Sequence, residues 1–487
     1  MRKGVPLVLS LAIIAAGLIP AIAAATGGVD CEDVAPEPLA FHAPQFIDTT
    51  RAGGEPVTIT TPDGAILVSA HAGTTHAYKD PTAGPGGGDF AVGYANQTLN
   101  WRSTDGGQTW KFVGLAGQEN GPHSLSSTGF SDPDFAIDQG GRIYNVEIDL
   151  ANVAVFSSPD FGKSWPTANP EASFGDRPWL TGQEPNEVFL YVNLPKQLWR
   201  STDGGVTFSL VTTSLPATGK MISDPLNPQH GLIAPVGVQG IAMSGDDGKT
   251  WKQYPDAGLG RSTQFFGVPA VDNAGNVYVA AAGGYTGTDD TVANGEVTFN
   301  YFDRATEEWG EPIEIPTPPG DALWPWVIAG DDGRVSVVWY QTLQGDQNRF
   351  YIYAAQTLNG HGSTVTCDDG STREVAPQFE VANASGRPVH MGKICLDGTT
   401  CNANTSFEGG DRRLGDFFTV NFDLFGNLYI ASGDTTLRGP TGGPKPVSNP
   451  IFIRQLSGSP MLEAPIAPIE PRDLCEVEVP TTGICLP

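Results

Sequence analysis

One eight-residue pattern recurs four times in this chain and constrains its fold more than any other feature. The pattern is Ser-x-Asp-x-Gly-x-(Thr or Ser)-(Trp or Phe), and its copies begin at Ser103, Ser158, Ser201 and Ser244. Successive copies start 55, 43 and 43 residues apart. Repeats of roughly 40 to 50 residues with four short strands each are typical of β-propeller blades. The spacing therefore predicts an all-β fold built from repeated four-stranded sheets.

Each residue type in this pattern has a structural reason to be there. An Asp in a tight turn accepts hydrogen bonds from the backbone N–H groups that follow it, and the Gly adopts a positive φ. The aromatic side chain at the end packs back between sheets. We therefore interpret the four aspartates as folding elements and not as catalytic groups; they are Asp105, Asp160, Asp203 and Asp246.

The pattern resembles the Asp box, or bacterial neuraminidase repeat, of sialidases and related propellers. The resemblance covers roughly residues 45–457. It implies a propeller fold, and for sialidases it implies three substrate-binding arginines, a Tyr–Glu nucleophile pair, an Asp acid/base and an Arg-Ile-Pro motif. Residues 50–56 occupy the equivalent region here and lack that motif, with Arg51 as the loosely equivalent arginine. The resemblance thus speaks more for the architecture than for sialidase activity.

A second recurring feature marks the start of each blade. A short motif that contains an acid or a proline precedes an apolar strand, and a hairpin turn such as Asp-Gly or Asn-Ala-Gly follows the strand. These openings lie near residues 55, 131, 176, 223, 267, 324 and 415. We therefore predict a single propeller of seven blades, with the six blades usual in Asp-box sialidases as the alternative.

The blade openings predict where chemistry can occur. The first strand of each blade lines the channel, so all openings lie at one channel mouth, opposite the Asp boxes. The candidates for acid/base catalysis are Glu55, Asp132, Asp134 and Asp176, with Asp224 and Asp416 at the other openings. The candidates for substrate binding are Arg51, Arg177 and Arg413, with Arg412 beside the last. Clustering shifts carboxyl pKa values, and arginine can bind a substrate carboxylate through paired hydrogen bonds.

Two other interpretations of these acids stay open. A buried Asp at the start of a strand often accepts a backbone N–H of the neighbouring blade, which is a structural role. Asp132 and Asp134 are two residues apart, so on a regular strand they share a face and suit Ca²⁺; no cofactor is otherwise expected. Further candidates near the mouth are His71, His76, His123, Trp179, Trp324 and Trp326.

The ends of the chain and its cysteines predict the compartment. A basic start, an apolar run and small residues indicate a signal peptide over residues 1–25. We expect a lead segment at 26–44, the ring at 45–457 with a cysteine-containing loop insertion at 357–412, and a Pro-rich tail at 458–487. Six cysteines indicate disulfides in a secreted, periplasmic or cell-surface protein, and Cys31 suits pairing with Cys475 or Cys485 across a closed ring.

The net charge of the chain limits the classes of molecule that it can bind. The chain has 27 basic and 54 acidic residues, and 27 − 54 gives a formal net charge of −27. This excess argues against nucleic acid or an anionic membrane as the main partner, and no segment after the signal is long and apolar enough to span a bilayer. Three hypotheses remain: a sialidase-like exo-glycosidase, a non-catalytic propeller that binds a glycan or a protein, and a polysaccharide lyase with a His or Tyr base.

Overall fold

The computed structural model describes residues 31, 34–71, 98–113, 129–149, 152–237, 240–260, 262, 264–283, 295–396, 411–438, 442 and 447–469. These residues form seven antiparallel sheets of four main strands each, and the sheets follow one another around a ring. The protein is therefore a seven-bladed β-propeller, as predicted, and the six-bladed alternative is wrong. None of the described segments forms a helix with the length and hydrophobicity needed to cross a bilayer.

The strands are numbered in chain order. Two short strands precede the first blade, β1 (Ala40–Phe41) and β2 (Gln45–Phe46). Blade one contains β3 (Gly54–Thr60), β4 (Ile66–His71), β5 (Thr98–Ser103) and β6 (Lys111–Val113). Blade two contains β7 (Gly129–Ile137), β8 (Ile143–Asp149), β9 (Asn152–Ser158) and β10 (Thr167–Phe174). Blade three contains β11 (Asp176–Gly182), β12 (Val188–Leu194), β13 (Gln197–Ser201) and β14 (Ser209–Thr212).

The later blades repeat this order. Blade four contains β15 (Ile222–Ser223), β16 (Leu232–Val236), β17 (Gly240–Ser244) and β18 (Lys252–Tyr254). Blade five contains β19 (Ala270–Val271), β20 (Val277–Ala282), β21 (Val297–Asp303), β22 (Glu308–Trp309) and β23 (Ile313–Glu314). Blade six contains β24 (Ala322–Ala329), β25 (Val335–Leu343), β26 (Asp346–Thr357), β29 (Glu380–Asn383) and β30 (His390–Met391), with a side hairpin of β27 (Ser363–Thr366) and β28 (Thr372–Val375). Blade seven contains β31 (Thr419–Phe422), β32 (Leu428–Asp434) and β33 (Asn449–Ser457).

The ring closes by combining the two ends of the chain in blade seven. The early strands β1 and β2 both pair with β33, with Gln45 opposite Phe452. The outer edge of the last blade is thus completed by the first strands of the chain, which removes an exposed edge. A disulfide joins Cys31 to Cys367 beside the β27–β28 hairpin, so the expected pairing of Cys31 with Cys475 or Cys485 is wrong.

The core lies between adjacent blades. Middle strands such as β4 and β20 are buried along their whole length, because each sheet packs against a neighbour on both faces. The sequence of β20 is accordingly a continuous apolar run, and so are the first three residues of β4, as in parallel sheets covered on both sides. The fully buried aromatic side chains include Trp101, Trp165, Trp339 and Tyr429. Burial of one side chain of this size contributes about 1.5 to 3 kcal/mol.

Two regions near the end of the chain differ from expectation. Strands β29 and β30 pair with β26 and form the outer edge of blade six, so residues 357–412 are not wholly an insertion. The described part of the tail lies against the hairpins between the first and second strands of blades seven and one, where Met461 N donates to Gly426 O at 2.8 Å and Ile469 N donates to Pro62 O at 2.7 Å. Cys475 and Cys485 lie outside the described residues.

The two faces of the ring differ in how strands are connected. On one face, here called the box face, short hairpins join the first and second strands, and the repeated octapeptides join the third and fourth. In the first octapeptide, Asp105 Oδ1 accepts from the backbone N–H of Gln108 at 3.0 Å and of Thr109 at 2.9 Å. Asp160, Asp203 and Asp246 make the equivalent bond to the residue four positions later. The opposite face, here called the mouth face, holds the starts of the first strands.

Candidate functional site

A group of charged side chains lies at the channel mouth, where blades one, two, three and seven begin. We call it the mouth cluster; its members are Glu55, His71, Asp132, Asp176, Arg177, Arg412 and Asp416. Its central member is Glu55, which is fully buried. Glu55 accepts from the backbone N–H of Asp416 at 2.7 Å and of Asp132 at 3.3 Å, and its carboxylate lies 3.1 Å from His71 Nε2. Glu55 thus connects blades seven, one and two, which is the structural role left open for it.

The environments of Glu55 and Asp132 move their pKa values in opposite directions. Burial alone would raise the pKa of Glu55, but His71 and a hydrogen bond from the Asp132 side chain hold it below its ordinary value. Burial raises the pKa of Asp132 well above its ordinary 3.8, and the negative charges of Glu55 and Asp176 raise it further. Of the two carboxyl groups, Asp132 is therefore the weaker acid. Two carboxyl groups whose pKa values are shifted in opposite directions are suited to acid and base roles.

The positive charges of the cluster converge on Asp416. Arg412 is buried and pairs with the Asp416 carboxylate, and Arg177 Nη2 lies 3.5 Å from the same carboxylate. The Arg177 guanidinium also lies over the Phe265 ring, 4.8 Å from its centroid. The side chain of Arg177 is 20% exposed, and Asp176 beside it is exposed. Arg177 and Asp176 are therefore the members of the cluster most available to a ligand.

Left-handed backbone recurs at the openings of four blades. Glu55, Asp132, Arg177 and Trp324 have φ values of 49°, 51°, 56° and 51°. Each of the four precedes a proline, and none is a glycine, so this left-handed conformation is costly. The Glu55 side chain packs directly against Gly415, where a Cβ would lie 2.1 Å from Glu55 Cγ. Strained residues that the surrounding structure holds in place occur preferentially at functional sites.

Beneath the cluster, four aromatic rings close the channel. We call them the aromatic plug; they are Trp179, Phe266, Trp326 and Phe417, from four different blades. Their ring centroids lie 4.9 Å apart for Trp179 and Phe266, and 5.7 Å apart for Trp326 and Phe417. All four side chains are buried. Among the described residues, the tryptophans therefore pack in the core and do not form an open sugar platform, and the same holds for Trp324, which is 3% exposed.

Asp134 lies below the plug and apart from Asp132. Its carboxylate accepts from Lys220 Nζ at 2.6 Å and from the backbone N–H of Leu180 at 2.9 Å. Lys220 and Asp134 line a channel cavity of about 210 Å³ with mainly apolar walls. Burial raises the pKa of Asp134, while Lys220 opposes that change. Asp134 is thus neutralised across the channel and is not a member of the mouth cluster.

Asp132 and Asp134, the pair suggested for Ca²⁺, have different partners. The pairing of β7 with β8 shifts register between Ser131 and Asp134, so Asp132 and Asp134 do not share a face as they would on a regular strand. Within the described ranges, the group whose ligand atoms lie close enough to hold a metal is Asp272, Asp332 and His361, on the box face. The Asp272 oxygens already accept from turn N–H groups and from the Tyr278 hydroxyl.

Three residues predicted at the mouth lie elsewhere. Arg51 pairs with Asp48 at 2.7 Å and lies over the Phe112 ring of the outermost strand of blade one. Arg413 is buried against Asp411, which leaves it unable to bind a substrate carboxylate. Asp224 is part of the β15–β16 hairpin on the box face, where it pairs with Arg304 at 2.6 Å. His76 and His123 lie outside the described residues.

Sequence reasoning missed Lys220, although a signal for it exists. Lys220 lies 24 residues before the octapeptide that begins at Ser244, just as Arg177 lies 24 residues before the one at Ser201. Counting back from the octapeptides therefore places the opening of blade four at Lys220. The Asp-Pro pair that begins at Asp224 was instead interpreted as the opening of blade four, although it lies at the other end of the first strand.

Comparisons with known proteins give distant matches. No known family model matches the chain. A xyloglucanase of a Paenibacillus species is 28% identical over 249 residues, which cover 46% of this chain and 23% of that enzyme. A sialidase of Micromonospora viridifaciens is 28% identical over 229 residues, which cover 42% of this chain and 29% of that enzyme. The matches thus span less than a third of either relative, and both relatives are named as glycoside hydrolases.

Solved structures give a similarly distant comparison. The chain aligns with the crystal structure of a GH74 enzyme of Niastella koreensis at a TM-score of 0.46 and 15% identity. The alignment covers 83% of this chain and 62% of that one.

Proposed function

We propose that this protein is a glycoside hydrolase whose active site is the mouth cluster, with Asp132 as the general acid and Asp176 as the carboxylate that activates water. The observation that supports this most is the environment of Asp132. Burial and neighbouring carboxylates raise its pKa well above the ordinary 3.8, which favours its protonated form. A protonated carboxyl group beside an exposed carboxylate is the pair that glycoside hydrolysis uses.

The remaining cluster residues would position this pair. Glu55 accepts the backbone N–H groups that begin blades two and seven, so it fixes the relative position of the openings. Asp132 accepts from the backbone N–H of Arg177 at 3.2 Å, which ties the acid to the opening of blade three. In the reaction, Asp132 would donate its proton to the glycosidic oxygen while Asp176 takes a proton from the attacking water.

The pairing of the arginines favours a neutral glycan over a sialic acid. Arg177 and Arg412 both face Asp416, and Arg413 faces Asp411. A substrate carboxylate would have to displace a protein carboxylate to gain a two-point arginine contact. The net charge of −27 also disfavours an anionic polymer. The distant similarity to a xyloglucanase as well as to a sialidase is consistent with this choice.

The test is release of reducing sugar by the purified full-length chain from xyloglucan, mixed-linkage β-glucan, galactomannan and sialyllactose. We expect turnover on a neutral polysaccharide, and a loss of about a hundredfold or more in kcat for Asp132→Asn and for Asp176→Asn. Asp332→Asn, a change of the same kind on the box face, should leave kcat unchanged. Absence of turnover on the whole panel would contradict the proposal.

A second candidate is a propeller that binds glycan without cleaving it. The aromatic plug favours this function, because its buried rings pack against one another beneath the carboxylates. Retention of the chain by a polysaccharide in a native gel, without release of reducing sugar, would support binding alone.

A further inference from the structure

The seam between blades two and three has an unusually short connection on the mouth face. Strand β10 ends at Phe174 and β11 begins at Asp176, so Gly175 alone joins the two blades. Gly175 has a φ of 128°, and a Cβ there would lie 2.1 Å from the carbonyl oxygen of Leu194. Asp176 is paired with Leu194 in the β11–β12 ladder. Phe174, Asp176 and Leu194 are therefore neighbours at one place on the mouth face.

Two of these neighbours are large apolar residues with solvent-exposed side chains. Phe174 is 53% exposed and Leu194 is 57% exposed. Most residues of their type in the described part of the chain are buried between blades. Single exposed apolar residues are common, but here two of them flank an exposed carboxylate of the mouth cluster. Their position on both sides of Asp176, and not their exposure alone, indicates a binding surface.

The same surface continues inward to the centre of the mouth. Asp176 is followed by Arg177, whose guanidinium covers the Phe265 ring at 4.8 Å. Phe265 is half-buried. An arginine held flat on a ring presents its edge N–H groups to a ligand and keeps little water around its faces. Apolar and hydrogen-bonding groups thus alternate from Phe265 and Arg177, through Asp176, to Phe174 and Leu194. We call this surface the seam strip.

We propose that the seam strip binds consecutive sugar rings of an internal stretch of neutral polysaccharide. Sugar rings have apolar C–H faces and a rim of hydroxyl groups, so they can stack on Phe174 and Leu194 and hydrogen-bond to Asp176 and Arg177. The strip leads away from the central cluster toward the outer part of the ring, so a chain lying on it extends beyond the cleaved bond. This inference rests on the proposed function and adds that the hydrolase is endo-acting, in contrast to the exo-glycosidase hypothesis drawn from the sequence.

The experiment measures binding separately from turnover. The catalytically impaired Asp132→Asn protein is run in native gels that contain xyloglucan, mixed-linkage β-glucan or galactomannan, and its affinity is then measured for short and long oligosaccharides of the retained polymer. Adding Phe174→Ala and Leu194→Ala should weaken binding of oligosaccharides of about six sugars by about fivefold to tenfold. Binding of disaccharides should change less than twofold. Phe425→Ala is the matched control, since Phe425 is a 64% exposed Phe on the box face.

Each outcome decides between the two proposals. Equal losses for the Phe174/Leu194 and Phe425 variants, or equal losses for short and long oligosaccharides, would overturn the seam strip. Unchanged binding by the Phe174/Leu194 variant, alongside hydrolysis by the wild-type chain, would overturn the strip and leave the hydrolase proposal standing. No retention by any polysaccharide and no hydrolysis would overturn both.

Discussion

The box face and the mouth face use the same residue type, aspartate, in opposite ways. On the box face each Asp repeats one set of contacts, and the Thr109 hydroxyl and nearby N–H groups hold the pKa of Asp105 at about 2. On the mouth face each acid has different partners, and burial raises the pKa of Asp132 well above its ordinary value. The octapeptide carboxylates, whose oxygens all accept hydrogen bonds within their own turn, stabilise that turn. The mouth carboxylates have different partners from one another and are only partly neutralised, so they are available for proton transfer.

Left-handed backbone occurs on both faces, but in different sequence contexts. The residue after the octapeptide Asp has a positive φ in every copy; it is Gly106 or Gly204 in two copies and Phe161 or Asp247 in the other two, and a glycine follows it each time. The mouth face places Glu55, Asp132 and Arg177 in that region, each before a proline. The left-handed residues of the box face thus belong to one repeated turn, whereas those of the mouth face belong to blade openings with different partners.

The largest effect on stability is expected at the centre of the mouth cluster. Glu55→Ala removes the acceptor for two backbone N–H groups and leaves His71 buried without its carboxylate. We expect a loss of about 3 to 5 kcal/mol in the free energy of unfolding, measured by denaturant titration. Glu55→Gln, which keeps an acceptor, should lose less. Equal stability of Glu55→Ala and wild type would contradict the linking role assigned to Glu55.

The next largest effect is expected on kcat/KM, which should distinguish an arginine inside the mouth cluster from one outside it. Arg177→Ala removes a partner of Asp416 and the cover of Phe265, so kcat/KM on the hydrolysed polysaccharide should fall about tenfold to a hundredfold. Arg51→Ala is the control, because Arg51 pairs with Asp48 away from the cluster. Steady-state kinetics of the two variants checks this, and a similar loss for both would mean that the mouth extends to Arg51.

The two faces should also respond oppositely to pH. Folding raises the pKa of Asp132, so the stability it contributes is complete below its ordinary value of 3.8 and is lost as the pH rises through its folded pKa. Folding lowers the pKa of Asp105 to about 2, so its contribution is present above 3.8 and is lost as the pH falls toward 2. Unfolding titrations should show that Asp132→Asn flattens the decline of stability above about pH 4. Asp105→Asn should flatten the decline below it. If Asp132→Asn flattened the decline below about pH 4 and Asp105→Asn the decline above it, the contrast between the two faces would be wrong.

The smallest effect is expected in a single octapeptide. Ser103 Oγ accepts from the backbone N–H of Gly107 at 2.9 Å and donates to Asp105 at 2.8 Å. Ser103→Ala should therefore reduce the free energy of unfolding by about 1 kcal/mol without changing kcat. Thermal unfolding and activity assays on the same preparation check this, and a fall in kcat at unchanged stability would place chemistry on the box face.

Much of the fold was predictable because its signals are local. The octapeptides and the blade openings are short patterns whose side chains bond within their own turn, so seven blades could be counted from the sequence. The site was less predictable because its contacts are not local. A register shift at Asp132 separates it from Asp134, and Lys220 finds its partner, Asp134, two blades away. His71 was placed near the mouth, but its contact with Glu55 depends on the pairing of β3 with β4.

The most direct test is one matched pair of substitutions, Asp132→Asn on the mouth face and Asp105→Asn on the box face, measured for both kcat and unfolding free energy. An Asn at 132 can imitate the protonated acid, so we expect at least wild-type stability at neutral pH and a loss of about a hundredfold or more in kcat. Asn at 105 weakens a turn, so we expect unchanged kcat and a loss of about 1 to 2 kcal/mol. A loss of activity in Asp105→Asn with full activity in Asp132→Asn would contradict the assignment of chemistry to the mouth face.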